Sequence, residues 1–229
     1  MVSAEGAGGW GERNQGRDLR IPRSKRLLDL VVGIPGFVVL LPVLGITALI
    51  VWICLGRPIL FRQRRPGLGG NPFLFLKFRT LRDTRGPGGN LLPDGQRLTP
   101  CGRFLRSLSL DEWPSLINVL KGEMSLVGPR PLLMEYLDCY SLEQARRHDV
   151  LPGITGWAQI HGRNTLTWEE RFALDVWYVD HWSVALDLKI LLVSVWKTLA
   201  REGVSPGGAE FSQPFLGGAS NEEAVSKHG

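Results

Sequence analysis

From residue 30 to residue 56 the chain carries no charged side chain: LVVGIPGFVVLLPVLGITALIVWICLG. No other stretch constrains the fold as much, because a run of this length is long enough for a transmembrane helix. Two prolines, Pro35 and Pro42, interrupt it. A proline inside a helix removes a backbone donor and crowds the preceding turn. Divided at Pro42, the arms 27–41 and 42–55 would each reach about 21–23 Å. A hydrocarbon core is about 30 Å thick. Both flanks are basic, with Arg17, Arg20, Arg23, Lys25 and Arg26 before the run and Arg57, Arg62, Arg64 and Arg65 after it. Basic flanks favour the cytoplasmic side. A helix–break–helix over 23–56 that enters and leaves by one face satisfies both features. A kinked ordinary span fits the same residues, because transmembrane helices tolerate proline. Trp52 suits an interface anchor.

The remainder of the 229 residues fits one domain, 57–205, between a flexible tail at 1–22 and a C-terminal tail at 206–229. Residues 1–22 are no secretory signal, because the apolar run comes late and is too long. The net charge of +5 points to an anionic partner: nucleic acid, an anionic bilayer or a phosphorylated substrate. Nucleic acid lacks support, since no RRM, KH, helix-turn-helix or zinc pattern occurs. Cys54, Cys101 and Cys139 show no pairing pattern, which implies a reducing compartment. No Walker motif or dinucleotide fingerprint is present.

Residues 73–79, FLFLKFR, read as a buried strand with Lys77 and Arg79 on one face. Residues 83–100 read as a loop, 135–150 as a helix, 152–160 as a turn into a strand, and 161–164 as a turn presenting an arginine. Thr167-x-x-Glu170 is a capping box that opens a helix toward Tyr178. A last helix is expected over 184–202. Its basic residues and the tryptophans at 168, 177, 182 and 196 suggest an amphipathic helix at a membrane interface. The fold class is α+β: a helix-rich domain with a small sheet.

Residues 103–131, RFLRSLSLDEWPSLINVLKGEMSLVGPRP, hold the candidate chemistry. Asp111 and Glu112 precede a short apolar run that reads as a helix ending at Lys121-Gly122. A capping box at Ser109-x-x-Glu112 would place Pro114 too deep in that helix. Asp111 as N-cap places Pro114 where a backbone donor is not needed, and sets the carboxylate in the positive field of the helix start. Lys77, Arg79, Arg106, Arg130 and Arg163 are candidate phosphate-holding groups. The rigid frame Pro129-Arg130-Pro131 suits bidentate binding. A carboxylate beside phosphates can hold Mg²⁺ or attack phosphorus to form an acyl phosphate.

The order of motifs then resembles a known family. Lys25-Arg26-Leu27-Leu28-Asp29-Leu30, Gln63-x-Arg65-Pro66-Gly67, Lys77-Phe78-Arg79-Thr80, the stretch from Arg106 to Glu112, and the stretch from Asn118 to Ser125 all take part. Val127-Gly128-Pro129-Arg130-Pro131, Pro152-Gly153-Ile154-Thr155-Gly156-Trp157 and Gly162-Arg163-Asn164 complete the series. Together they resemble the monotopic phosphoglycosyl transferases of bacteria, from about Lys25 to Gly207. The resemblance implies transfer of a sugar 1-phosphate from a UDP-sugar to a polyprenol (undecaprenyl) phosphate, with release of UMP. It implies Asp111 as nucleophile and Mg²⁺ ligand, Glu112 as its dyad partner, and the basic residues around the phosphates. It also implies a re-entrant helix at the cytoplasmic face of the bacterial inner membrane, with downstream glycosyltransferases as further partners. That family breaks its helix at a Ser-Pro pair, whereas this chain has Leu41-Pro42. His161 stands where asparagine is common. The chain resembles the minimal form, without extra N-terminal membrane helices. A catalytically inactive scaffold and a UDP-sugar hydrolase are the alternatives.

Overall fold

The longest element, helix α1, runs unbroken from Arg23 to Leu55 with Pro35 and Pro42 inside it. The computed structural model describes residues 19, 21–162, 166–200 and 215. The expected interruption at Pro42 is therefore corrected: the helical path continues through both prolines. Each proline deletes one N–H donor, while the flanking turns keep theirs. One face of α1 explains why the path holds. Lys25, Asp29, Gly33, Thr47 and Val51 are buried, and Phe37, Leu40, Leu44, Ala48 and Leu55 pack on the same domain. These positions recur every three or four residues, which keeps one stripe facing inward from end to end. The opposite face exposes Val31, Ile34, Val38, Leu41, Leu49 and Ile53.

Charged residues fix the N-terminal end of α1. Lys25 Nζ donates to Val127 O at 2.9 Å, to Tyr178 OH at 2.9 Å and to Asp187 at 2.8 Å. Arg26 donates to the carbonyls of Val119 and Leu120, at the end of a neighbouring helix. Asp29 accepts from Ser125 Oγ at 2.8 Å and from Leu126 N at 2.9 Å. At the other end, Arg79 donates to Leu55 O, one of the carbonyls that a helix C-terminus leaves without a helical partner.

Strands β1 (Leu60–Pro66) and β2 (Pro72–Phe78) form an antiparallel hairpin that pairs Phe61 with Lys77 and Gln63 with Phe75. The 83–100 stretch, expected to be only a loop, holds a one-turn helix, Asp94–Arg97, and the bridges Leu81 to Leu98 and Arg85 to Leu91. Helix α2 (Pro100–Ser107) begins there. Thr99 caps it by accepting from Gly102 N, and proline occupies its first turn. A 3₁₀ segment, Leu110–Ser115, leads into helix α3 (Leu116–Lys121). Gly122 closes α3 at φ 87°, as expected.

Strands β3 (Ser125–Val127) and β4 (Gly153–Thr155) pair in parallel. The helix expected over 135–150 is instead three short pieces: Met134–Cys139, Leu142–Ala145 and Arg146–His148. Ser141 and Gln144 make a capping box that restarts the chain direction. After β4 the chain turns into helix α4 (Trp157–His161) rather than prolonging a strand. Helix α5 (Trp168–His181) opens on the expected Thr167/Glu170 box. Helix α6 (Val184–Leu199) is capped by Ser183 and exposes Leu188, Leu192, Val195 and Trp196. The fold is α+β and helix-rich, with two small two-stranded sheets among the described residues. Phe215, in the stretch expected to be a tail, is buried among Tyr136, Tyr140 and Phe172.

Candidate active site

Asp111 and Glu112 lie in the first turn of the 3₁₀ segment, and Ser109 is the cap residue. This corrects Asp111 as N-cap. Ser109 adopts the left-handed conformation at φ 55° without a side-chain capping bond. Non-glycine residues there carry strain and cluster at functional sites. The turn starts the segment early enough to swing Asp111 inward, where it is 5% exposed. Glu112 reaches Arg130.

Arg130 grips Glu112 with its two terminal guanidinium nitrogens, Nη1 lying 2.9 Å from Oε2. This forked geometry suits arginine. A phosphate that engaged Arg130 would therefore have to share it with Glu112. The arginine's frame is itself held from two sides. Arg65 donates to Pro131 O at 3.1 Å, and Arg147 donates to Arg130 O at 2.8 Å. Arg147 is buried against Asp175, with bonds of 3.1 and 2.8 Å. Behind the frame Gly128, Gly153 and Gly156 bring backbones together so closely that a Cβ at Gly153 would lie 2.1 Å from Gly128 N.

Lys77 and Arg106 complete the positive surround. Arg106 Nε donates to Thr80 Oγ1 at 3.0 Å. Lys77 Nζ sits over the Phe61 ring, 5.4 Å from its centroid. Asn118, fully buried, accepts from Leu76 N at 3.1 Å and donates to Leu74 O at 2.7 Å. Its amide thus stands in for a neighbouring strand and fixes the edge of β2 beneath Lys77.

Burial, and then the neighbouring Glu112, push the Asp111 carboxyl up to about 6, while Lys77, Arg106 and Arg130 pull it down. At pH 7 it is mostly ionised and more basic than an ordinary aspartate, which makes it a better nucleophile. Among the described residues no hydrogen bond occupies the Asp111 carboxyl, so its oxygens have coordination to offer. Among the described residues no three His, Cys, Asp or Glu side chains form a ligand cluster. A Mg²⁺ ion would take Asp111 as its protein ligand and the substrate's phosphates as the rest, a usual arrangement for this hard cation. The residues fit that role.

Of the residues expected around the phosphates, Lys77, Arg106 and Arg130 do converge on Asp111. Arg79 does not. It turns to Leu55 O and lies 3.4 Å from Asp83, so it ties β2 to the end of α1. Strand β2 stops at Phe78, and the face that Lys77 occupies is not continued to Arg79. Arg163 lies outside the described residues. Leu41 and Pro42 sit within α1, far along the helix from its charged N-terminal end. Arg65, Arg147 and Asn118 support the site as well, and sequence reasoning alone misses them. Arg147 gives no sequence signal beyond a charge in a polar stretch.

The bacterial sugar transferase family model matches residues 21–201, most of the chain. The chain belongs to the bacterial sugar transferase family. It is 54% identical over 193 residues to an uncharacterized sugar transferase, EpsL, of Bacillus subtilis, covering 84% of this chain and 96% of that protein. It is 44% identical over 181 residues to the UDP-glucose:undecaprenyl-phosphate glucose-1-phosphate transferase of Caulobacter vibrioides, covering 75% of this chain and 68% of that one. An enzyme of the same name from Escherichia coli is 40% identical over 183 residues. That match covers 76% of this chain but only 39% of the longer relative. Every motif of this sugar transferase quoted above up to Arg163 and Asn164 lies inside the family match.

Proposed function

We propose that this phosphoglycosyl transferase moves a sugar 1-phosphate from a UDP-sugar to a polyprenol phosphate in two steps through Asp111. In the first step an Asp111 oxygen attacks the sugar-bearing phosphorus, the bond to the UMP oxygen breaks, and UMP leaves with that electron pair. The product is an acyl phosphate that carries the sugar. In the second step an oxygen of the polyprenol phosphate attacks the same phosphorus and Asp111 departs as carboxylate. The lipid then carries a diphosphate sugar, the start of a glycan.

The observation that carries this reading is Asp111 itself: a buried carboxyl, pushed up to about 6, that faces three cations. Lys77, Arg106 and Arg130 would bind and orient the diphosphate and steady the charge that builds on it. Glu112 would hold the Arg130 fork in place and be ready to release it. When bound, Mg²⁺ would supply charge neutralisation on the diphosphate. Surrounded by these groups, phosphorus becomes open to a carboxylate nucleophile.

The membrane would be met from one side. Helix α1 spans about 50 Å if straight, yet its inward stripe rests on the domain along its whole length. A helix so held cannot carry its two ends to opposite faces of a bilayer unless the charged domain goes with it. The outer faces of α1 and α6 each offer exposed apolar side chains instead. A one-sided seat of this unbroken helix on the cytoplasmic face of the bacterial inner membrane would bring Asp111 near headgroup depth, where a lipid phosphate lies. Downstream glycosyltransferases would extend the product.

The test is lipid dependence. Enzyme in nanodiscs, given Mg²⁺ and a panel of UDP-sugars, should form a lipid-linked diphosphate sugar and UMP in equal amounts when undecaprenyl phosphate is present. Sugar 1-phosphate released to water without lipid would favour a hydrolase. Neither product with any sugar would favour a scaffold.

A further inference from the structure

The three cations around Asp111 are held in different ways. Arg130 is paired with Glu112 and Arg106 is bonded to Thr80. Lys77 forms no hydrogen bond or ion pair among the described residues; its Nζ rests over the ring of Phe61 at 5.4 Å. Of the three, Lys77 acts most strongly on Asp111. Phe61 is its direct cross-strand neighbour, and this phenylalanine is 41% exposed. A phenylalanine so exposed on a hairpin adds little to the core.

We propose that Phe61 is a positioning residue for the diphosphate: its ring holds the Lys77 ammonium at the Asp111 site while leaving that ammonium's N–H donors available to substrate oxygens. The inference rests on the transferase reading above and names a residue that the reading does not require.

The physical reason lies in what other holders would cost. A free lysine has four rotatable bonds and loses much of their freedom when fixed. A carboxylate partner would fix it but would cancel the charge and repel phosphate. A carbonyl would occupy a donor. An aromatic face attracts the cation through its quadrupole and takes none of the three donors of the ammonium. The hairpin supplies the rest of the geometry, because Asn118 clamps the backbone at Leu76, next to Lys77.

Three variants separate this role from simple packing: Phe61→Tyr keeps a ring, Phe61→Leu keeps apolar bulk without one, and Phe61→Ala keeps neither. Two readouts apply to full-length protein in nanodiscs. One is calorimetric affinity for UDP, with KM and kcat for the UDP-sugar alongside. The other is the ring-current shift of the Lys77 side-chain methylene signals, assigned with Lys77→Met. Phe61→Tyr should keep wild-type affinity and the shifted signal. Phe61→Leu and Phe61→Ala should lose the shift and bind UDP roughly two- to fivefold more weakly, the factor that an exposed cation–π contact is worth. KM should rise by a similar factor, with kcat nearly unchanged. In a Lys77→Met background Phe61→Leu should add nothing further. Wild-type UDP affinity in Phe61→Leu despite a lost ring-current shift would overturn the proposal, as would additive losses in the double variant. Failure of the wild-type protein to bind UDP would overturn the transferase reading itself, and this proposal with it.

Discussion

Replacing Asp111 by asparagine should make the folded protein more stable while abolishing its chemistry. Burial raises the Asp111 carboxyl from the ordinary aspartate value of 3.8 to about 6. A group whose folded value is raised favours folding only in its protonated form. Its contribution is fully present below about pH 4 and is lost as pH rises through about 6. Above that, keeping the carboxylate ionised in the site costs stability. A two-unit displacement is worth at most about 3 kcal/mol at 1.36 kcal/mol per unit. Asparagine has nearly the same shape and carries no charge. In thermal unfolding of nanodisc-embedded protein, the variant should melt up to roughly 6–12 °C above wild type at pH 8, since a chain of this size moves about 2–4 °C per kcal/mol. The gap should close as pH falls to about 4. The reasoning is refuted if Asp111→Asn melts at or below the wild-type temperature at pH 8, or if the gap does not depend on pH.

Further expectations follow from neighbouring contacts. The same carboxyl should set the acid limb of kcat/KM, with activity falling below about pH 6 as Asp111 takes a proton; a flat profile down to pH 4.5 would contradict it. Arg147→Met should cost roughly 3–5 kcal/mol in unfolding experiments, because it strands the buried Asp175 charge and frees the Arg130 carbonyl; a loss below about 1 kcal/mol would show that the pair does not hold the frame. Gly153→Ala should fail to fold or lose all activity, since its methyl group would meet backbone at 2.1 Å; a soluble, active variant would contradict the close approach. Ser109→Gly should stabilise the chain by about 1 kcal/mol through relief of the left-handed turn, which comparative melting can read.

How much of this was legible beforehand depends on whether a local signal exists. The Thr167/Glu170 box, the closing Gly122 and the alternation in FLFLKF are local patterns, and each element formed where its pattern lay. Thr99-Pro100 was an equally good helix start in a stretch read as a loop, and it opens α2. The 135–150 stretch looked helical by polarity, but the capping box at Ser141 splits it. Strand β1 carries no readable period of its own, because its arginines mask the alternation, and only pairing with β2 orders it. The convergence of Lys77, Arg106 and Arg130 on Asp111 joins residues far apart in sequence. The order of motifs suggested it, and no spacing rule produced it. Arg79 shows the limit of such carry-over: it follows Lys77 by two positions, yet the strand ends between them and its guanidinium caps α1. Pro42 shows another. Proline chemistry predicted a break, but a continuous inward stripe keeps the helix in register through it.

The most direct measurement is intact-protein mass spectrometry after incubation with Mg²⁺ and a panel of UDP-sugars, with no lipid acceptor present. The account predicts an added mass of one sugar phosphate with the cognate sugar, lost in Asp111→Asn and discharged when undecaprenyl phosphate is supplied. Turnover with lipid but no adduct at any time without it would contradict the covalent role of Asp111 and point to direct attack by the lipid phosphate.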